Sequence, residues 1–371
     1  MKTIFLSGSD TRYDGRTREL LSIVQSISST FSITTHNEKN EIITQSEIII
    51  PLSSFKGFFK FIRKSYFAAR KQAPFDILFI DNRKATIPGL IIKLFLRPKV
   101  VIYDARELYI FGEVKSLIGK IGCLFERIIY KFSDYVISAN EERKLIMEER
   151  WGLHNKVLVF ENFRKLEYSA DVNIESLRRK YSSLLDNDCF KMVSTAGCSI
   201  NRRTMDILEA SQNFKIKHSI ILIGCDQGND KDIVMAFIKE NNLENVYLLP
   251  KLGQDDLLYI LSQSDVGIAL YHKNDTNNLN CSSGKIFEYA FAGIPTVASD
   301  NPPLNRSVER YGIGNSGADL SASFYDIYTS YDSYSKKIKE VQNSNLIDNE
   351  KEKFALALVE KITCAMEKNI N

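Results

Sequence analysis

Lys285 and Glu288 stand three residues apart in the stretch Asn280-Cys-Ser-Ser-Gly-Lys-Ile-Phe-Glu-Tyr-Ala-Phe-Ala-Gly-Ile-Pro-Thr-Val-Ala-Ser-Asp300. That spacing puts both on one face of a helix. Ser282 and Ser283 can cap such a helix as it opens at Gly284, Gly293 can end it, and Pro295 leads on into a strand. A lysine in the first helical turn lies at the positive end of the helix dipole, where a cation is disfavoured. A bound anion removes that conflict, because free backbone N–H groups and the ammonium can share a phosphate. Glu288, one turn deeper, can accept hydrogen bonds from paired ribose hydroxyls. The same residues also describe an ordinary capped helix with an exposed Lys–Glu pair, and taken alone they favour that plainer reading.

Elements able to hold such a site recur along the whole chain. Short apolar, β-branched runs alternate with longer helical patterns, the signature of βαβ units and parallel sheets. In the first half, strands are expected at Thr3–Leu6, Ser32–Thr35, Glu47–Pro51, Ile77–Ile80, Val100–Tyr103, Tyr135–Ser138 and Val157–Phe160. Helical patterns intervene, among them Arg16–Ile27, Phe55–Lys71, Ile87–Leu96, Lys115–Phe132 and Glu141–Trp151. The polar stretch Glu161–Asp188 then leads into a fresh strand, Lys191–Ser194, and marks a domain boundary. Beyond it the alternation repeats, with strands near Ser219–Ile223, Val246–Leu249, Val266–Leu270 and Thr296–Ser299. A last helical pattern, Glu350–Glu367, follows a polar stretch from Ala318 to Asn349. A chain of 371 residues suits two domains of about 150–190 residues. The expected fold is α/β: two Rossmann-like doubly wound domains, 1–165 and 186–345, facing across a cleft, with ligands at the C-terminal ends of the strands. Residues 346–371 are expected to form a helix that packs back towards the first domain.

Composition narrows the function classes. Hydrophobic residues make up 44% and charged residues 26%, as in a globular protein with ample core, while 18 Gly and 8 Pro exclude collagen-like and low-complexity chains. No apolar run approaches the roughly 20 residues of a membrane-spanning helix; the longest, Ile87–Leu96, is interrupted by Pro88 and Lys93. The first residues, Met1–Ser7, read as a strand rather than a secretory segment, so a cytoplasmic protein is expected. Six scattered cysteines (Cys123, Cys189, Cys198, Cys225, Cys281, Cys364) contain no C-x-x-C and are read as reduced structural thiols. The four histidines lie far apart, and neither a metal site nor a cofactor is expected.

Charge is unevenly spread. Residues 1–165 carry 27 Lys and Arg against 18 Asp and Glu, whereas the remainder carries 22 against 28. Opposite signs in the two halves suggest different partners. On the helix Phe55–Lys71, the residues Lys56, Lys60, Arg63, Lys64, Arg70 and Lys71 fall within an arc of roughly 120°. Phe55, Phe58, Phe59, Ile62 and Tyr66 occupy another arc, expected to be core; Phe67 projects into the basic arc and Phe61 lies near its edge. Basic residues interleaved with aromatics suit the surface of an anionic membrane, and a solvated basic face explains them equally. Nucleic acid is disfavoured by the acidic second half and the lack of an RNA or DNA motif.

The segment around Lys285 resembles the nucleotide-sugar signature of retaining glycosyltransferases with the two-domain GT-B fold, the glycosyltransferase group 1 (GT4-like) family, in which a Ser or Asn and a Lys precede "FEY" and "a-aG-iPvvas" follows. Other pieces fit in order. Val193-Ser-Thr-Ala-Gly197 and Ile220-Ile-Leu-Ile-Gly224 resemble the first two strands of that family's C-terminal domain, Asn245–Gly253 with Asp255-Asp256-Leu257 its "nV-fLG-v---el--yl", and Ser264–Leu270 its "aDvgl" strand. In the first half, Asp14-Gly-Arg-Thr-Arg-Glu-Leu20 resembles "D-Rv-rea", which implies that Asp14 and Arg16 bind substrate, and Tyr103-Asp-Ala-Arg-Glu-Leu108 resembles "yDaHEl". The resemblance implies that the C-terminal domain binds a nucleoside-diphosphate sugar as donor substrate and the N-terminal domain an acceptor. Lys285 would contact the diphosphate, assisted by Ser283 and the amide of Gly284, and Glu288 would hold the ribose. Arg202 or Arg203 would neutralise the leaving diphosphate, the backbone at Lys251 and Leu252 would face the base, and Gly8 would let the backbone approach donor phosphates or acceptor. Three positions depart from the pattern: Asn280 replaces the first of two glutamates, Cys198 an Arg, and Arg106 the His of "yDaHEl". The first of these touches the sugar-contacting carboxylate.

The implied reaction is glycosyl transfer with retention. Arg202, Arg203 and Lys285 would stabilise the departing phosphate charge, and the leaving oxygen could take the acceptor proton, with Asp14, Asp104 and Glu107 as candidates for orienting the acceptor hydroxyl. Asp104 and Glu107 read equally as a turn residue and a helix start, and Asp14 as an N-cap. With UDP as nucleotide, the acceptor would be a glycan or polyprenyl-linked glycan of a bacterial surface polysaccharide, met at the inner face of the plasma membrane through Phe55–Lys71. The rival readings are a non-catalytic GT-B subunit partnering an active glycosyltransferase and a nucleotide-sugar epimerase on the same fold.

Overall fold

The computed structural model describes residues 1–226 and 229–368. The chain divides into two compact units, one of Met1–Asn162 with the chain from Asp348 onward, the other of Phe163–Ile347. The division falls just before Arg164, so Arg164 and the helix that follows it belong to the second unit rather than to a linker.

The first unit alternates β1 (Lys2–Ser7), α1 (Gly15–Ile27), β2 (Ser29–His36), β3 (Ile42–Ile43), β4 (Glu47–Pro51), α2 (Phe55–Gln72), β5 (Ile77–Asp81), α3 (Thr86–Leu96), β6 (Val100–Ala105), α4 (Leu117–Phe132), β7 (Tyr135–Ser138), α5 (Glu141–Trp151) and β8 (Val157–Val159). Its eight strands lie in the order β3-β4-β2-β1-β5-β6-β7-β8, parallel throughout except for the short antiparallel β3. Side chains alternate between the faces of a strand, and the two cores follow that rule. Ile4, Leu6, Leu78 and Ile80 pack with residues of α2 to α5, whereas Phe5, Ile77 and Phe79 pack with Leu20 and Val24 of α1. The order reverses between β1 and β5, which makes their C-terminal ends the switch point where an open parallel sheet takes a ligand.

The second unit runs α6 (Ile174–Leu185), β9 (Phe190–Ser194), α7 (Thr204–Asn213), β10 (His218–Ile223), α8 (Asn229–Glu240), β11 (Val246–Leu249), α9 (Gln254–Ser262), β12 (Val266–Ala269), α10 (Thr276–Leu279), α11 (Lys285–Ala292), β13 (Thr296–Ser299), α12 (Pro302–Tyr311), β14 (Gly314–Gly317), α13 (Leu320–Thr329) and α14 (Tyr331–Asn343). Six parallel strands are ordered β11-β10-β9-β12-β13-β14, with the switch point between β9 and β12. The last helix, α15 (Leu346–Lys368), sets Phe354, Leu358 and Ile362 into the α1 side of the first unit's core. Two helices, α13 and α14, fill the stretch read as polar from Ala318 to Asn349; each buries a narrow apolar stripe, Leu320/Phe324/Ile327 and Ile338/Val341, that short windows dilute.

Gly267 lets α11 lie close to β12. A Cβ there would overlap the ring of Tyr289, which is fully buried and donates to the Ile268 carbonyl. Gly267→Ala is expected to cost about 1–3 kcal/mol of unit stability, read as a lowered urea midpoint at unchanged slope. An unmoved midpoint would mean that the ring has room to shift.

Two expectations are corrected here. Cys198 and Cys225 form a disulfide, with Cα atoms 5.0 Å apart, rather than standing as reduced thiols. Gly197 and Gly224 touch so closely that a Cβ on the first would overlap the carbonyl of the second, which brings the next residues into bonding range; a separation of 27 residues hides this in the sequence. On α2 the buried line is Phe61, Ser65 and Ala69, while Phe55 and Phe59 are exposed. Phe61 and Ala69 enter the core, with Phe58 and Tyr66 packed against it, so the buried side lies between the two arcs read from hydrophobicity. Among the described residues, no helix is long and apolar enough to cross a membrane, and no group of His, Cys, Asp and Glu could hold a metal ion.

Candidate functional site

In the second unit α11 opens at Gly284, which acts as N-cap without a side-chain cap. The expected serine cap is absent at Ser283, whose hydroxyl is buried with no hydrogen-bond partner. An unpartnered hydroxyl at a helix N-terminus is costly unless something arrives to meet it. The Lys285 ammonium likewise finds no hydrogen-bond or ion-pair partner among the described residues. Burial pushes its pKa down to about 8; Glu288 pulls the other way, and Arg202 and Arg164 add repulsion.

Those two arginines complete the cluster. Arg164 crosses over Gly284, where a Cβ would come within 2.6 Å of its Cδ, and its Nη1 donates to Glu288 Oε1 at 3.2 Å. Its Nε is buried without a partner. Arg202 stacks 4.1 Å from the ring centre of Tyr271 and donates to Asn278 Oδ1 at 3.1 Å. Lys285 thus lies in the field of two further cations, Arg164 and Arg202, and of one carboxylate, Glu288, which is 7% exposed. The surplus charge suits a ligand carrying at least two negative charges.

Arg203 is not part of this cluster. Left-handed at φ 58°, it turns away and pairs with Asp206 at 2.7 Å, so of the two adjacent arginines it is Arg202 that acts on Lys285. The Lys251 backbone N–H donates to Asp226 Oδ1 at 3.3 Å, and Leu252 packs against the core; neither is among the groups acting on Lys285. Asn280 turns its amide to the Thr276 carbonyl at 2.9 Å. Arg164 was not anticipated, because it lies in a stretch whose composition reads as a linker.

In the first unit the expected residues separate into a brace and a cavity. Arg16 is buried and holds both oxygens of the fully buried Asp104, at 2.9 and 2.6 Å, and donates to the Phe160 carbonyl at 2.7 Å. This differs from the expectation for both: Asp104 is fully buried with both oxygens engaged by Arg16, and Arg16 is itself only 5% exposed, so the pair braces the unit rather than facing an acceptor or substrate. Asp14 caps α1 through the Thr17 N–H and is ion-paired with Arg106. Burial raises its pKa, but the Arg106 charge and the hydrogen bonds win, so it stays a carboxylate and a poor proton acceptor. Gly8 is needed for packing, since a Cβ there would overlap that of Lys84.

A cavity of about 320 Å³ lies at the switch point, bordered by Ser9, Asn82, Arg83, Lys84, Glu107 and Glu126. Glu107 keeps 43% of its side chain exposed and lies 3.4 Å from Arg143. Arg83 lies 3.9 Å from the ring centre of Tyr109, and a Cβ on Gly122 of α4 would come within 2.8 Å of its Nε. Burial pushes the Glu126 carboxyl up to about 7, against the pull of the Tyr103 hydroxyl and of Arg83. Arg83 and Glu126 were not anticipated, and nothing in their local pattern separates them from ordinary helix residues.

At the level of sequence, no family model and no curated protein matches the chain. Solved structures do match it over nearly its whole length. Sucrose-phosphate synthase from Thermosynechococcus elongatus shares 13% identity at a TM-score of 0.73, covering 97% of this chain and 98% of that one. Anabaena HepE in complex with UDP shares 14% at 0.72, covering 98% and 100%. WaaG, a glycosyltransferase involved in lipopolysaccharide biosynthesis, shares 10% at 0.65, covering 95% and 98%. With two parallel α/β units, each carrying its polar cluster near a switch point, and this agreement along the full length, the chain has the GT-B fold.

Proposed function

We propose that the chain is a retaining glycosyltransferase that moves a sugar from a nucleoside-diphosphate sugar, with UDP as the nucleotide, to a glycan or lipid-linked glycan in bacterial surface-polysaccharide assembly. The observation that carries this reading is Lys285, a desolvated ammonium without a partner, set at a helix N-terminus between Arg164 and Arg202. The UDP complex of HepE supports the choice of nucleotide. Lys285 and Arg202 would take the diphosphate with the Ser283 hydroxyl and the Gly284 amide, and Glu288 would turn from Arg164 to the ribose.

In the reaction the bond from the anomeric carbon to the phosphate oxygen breaks, and the acceptor oxygen bonds to that carbon on the same face. The acceptor proton passes to the departing phosphate oxygen, whose growing charge Lys285 and Arg202 offset without reorganising. No cofactor enters this scheme. The acceptor would be received in the first unit's cavity, with Glu107 as the accessible carboxylate. The setting would be cytoplasmic, at the inner face of the plasma membrane, with the basic Phe55–Lys71 helix towards its anionic lipids.

A thermal-shift panel of UDP-, GDP- and ADP-glucose tests the donor site, since a ligand of the native state alone raises the melting point. A shift with the UDP-sugar that vanishes in Glu288→Ala is expected. An undiminished shift in the variant sinks the assignment. UDP released with glycan acceptor present separates the enzyme from a non-catalytic subunit, which would bind and release nothing.

A further inference from the structure

The helices α2, α3 and α4 are neighbours, and each turns one side to the core of the first unit. Their outward sides carry an unusual load of large apolar groups. On α4 these are Leu117 and Ile118, at 73% and 80% exposure, with Ile121, Leu124, Ile128 and Phe132. At about 100° per residue the six fall within an arc of roughly 120°, opposite the buried Gly119, Cys123 and Glu126. Lys120, Arg127 and Lys131 form a flank within roughly 40° beside that stripe. The one acidic residue of α4, Glu126, is buried on the inner side, so the outward face has none.

The neighbours continue the pattern. Leu94 and Phe95 of α3 are exposed at 67% and 64%, Phe55 and Phe59 of α2 at 73% and 59%, and neither helix contains an Asp or Glu. Of the α2 bases, Lys64 is ion-paired with Glu41; Lys56, Lys60, Arg63, Arg70 and Lys71 are exposed. Exposed apolar surface on this scale marks an interaction site. Its occupant must accept apolar side chains and cations together over three helices, with no acid to repel a negative surface. A second copy would set these cations against themselves. An interfacial helix in an anionic bilayer meets every condition, rings and aliphatic groups entering the acyl boundary while ammonium groups remain at the phosphates.

We propose that the α2–α3–α4 layer is a docking face for an anionic lipid bilayer, with α4, rather than the basic helix α2, as the element that inserts. The docking rests on no step of the transferase reading. Flotation of the full chain tests it, with vesicles of phosphatidylcholine alone and of phosphatidylcholine doped with phosphatidylglycerol. The chain is expected to float with the doped vesicles only. Leu117→Glu/Ile118→Glu is expected to lower the bound fraction at least about tenfold, and Arg127→Glu/Lys131→Glu to lower it and weaken its salt dependence. Phe55→Ser/Phe59→Ser should cost less than the α4 pair. Retention of the UDP-sugar thermal shift certifies that each variant is folded, and circular dichroism does so should the donor reading itself fail. Equal flotation with both vesicle types, an α4 pair that floats like wild type, or a dimer of the wild type that the α4 pair dissociates would each overturn the proposal. Should that pair fail to fold, the charge-reversal variant decides by the same readout.

Discussion

Lys285→Ala is expected to abolish the thermal shift given by a UDP-sugar, lower turnover by about two to three orders of magnitude, and leave the ligand-free chain at least as stable as wild type. The first two effects follow from charge placed where a diphosphate must sit. The third follows from the cost of that charge without ligand. Burial holds the Lys285 pKa at about 8, below its ordinary value of 10.5, so between these pH values the folded chain binds fewer protons than the unfolded one. This group's contribution to ligand-free stability therefore rises with pH across that window, and below it the full penalty applies. Donor affinity runs the other way, because only the cation attracts the diphosphate, and it weakens as pH climbs past 8. From pH 7 to pH 9 wild type should thus lose donor affinity by calorimetry while its melting point gains relative to that of Lys285→Ala. In Lys285→Ala this group's contribution to both slopes should be lost. A variant that binds the UDP-sugar like wild type, or that melts many degrees lower, would place the lysine in the structure rather than in the site.

What the sequence makes legible follows from the range of the physics involved. Strands such as Ile77–Asp81 and Val100–Ala105 are continuous apolar runs because both faces of a parallel sheet are covered, and this pattern is local. Lys285 and Glu288 are legible for the same reason, being one turn apart on one helix. Arg164 is not, because it reaches Glu288 across 124 residues and stands in a stretch with no periodic signature. The choice between Arg202 and Arg203 is equally invisible, since a single left-handed residue decides which guanidinium turns to Asp206. Asp104 reads as an accessible carboxylate until Arg16, 88 residues away, is seen to occupy both its oxygens. The outward face of α4 was within reach of the helical period, but the cluster of lysines on neighbouring α2 drew the reading to that helix alone.

Arg106→Met is expected to destabilise the first unit by about 3–5 kcal/mol, the cost of stranding a buried carboxylate. Arg106 stands where the resemblance has a histidine, and its guanidinium is committed to the interior. Nη2 donates to Asp81 Oδ1 at 2.5 Å and to the Thr17 hydroxyl at 2.7 Å, while Nη1 holds Asp14. Asp81 is fully buried and also accepts from Ser7 and Thr17. Burial raises its pKa; Arg106 opposes that, and Asp104 and Asp14 reinforce it. Between the ordinary value and the raised one the folded chain binds more protons than the unfolded chain, so this group's contribution falls as pH rises. Removing Arg106 pushes the Asp81 pKa higher still. Its part of the deficit should widen towards neutral pH and narrow as the solution is acidified, and Asp81→Asn in the same chain should recover much of it by removing the charge that was stranded. Urea midpoints at pH 5 and pH 7.5 for the single and double variants measure this directly. A single variant within about 1 kcal/mol of wild type, the worth of an exposed pair, would show that water reaches Asp81 and that the network is a surface feature.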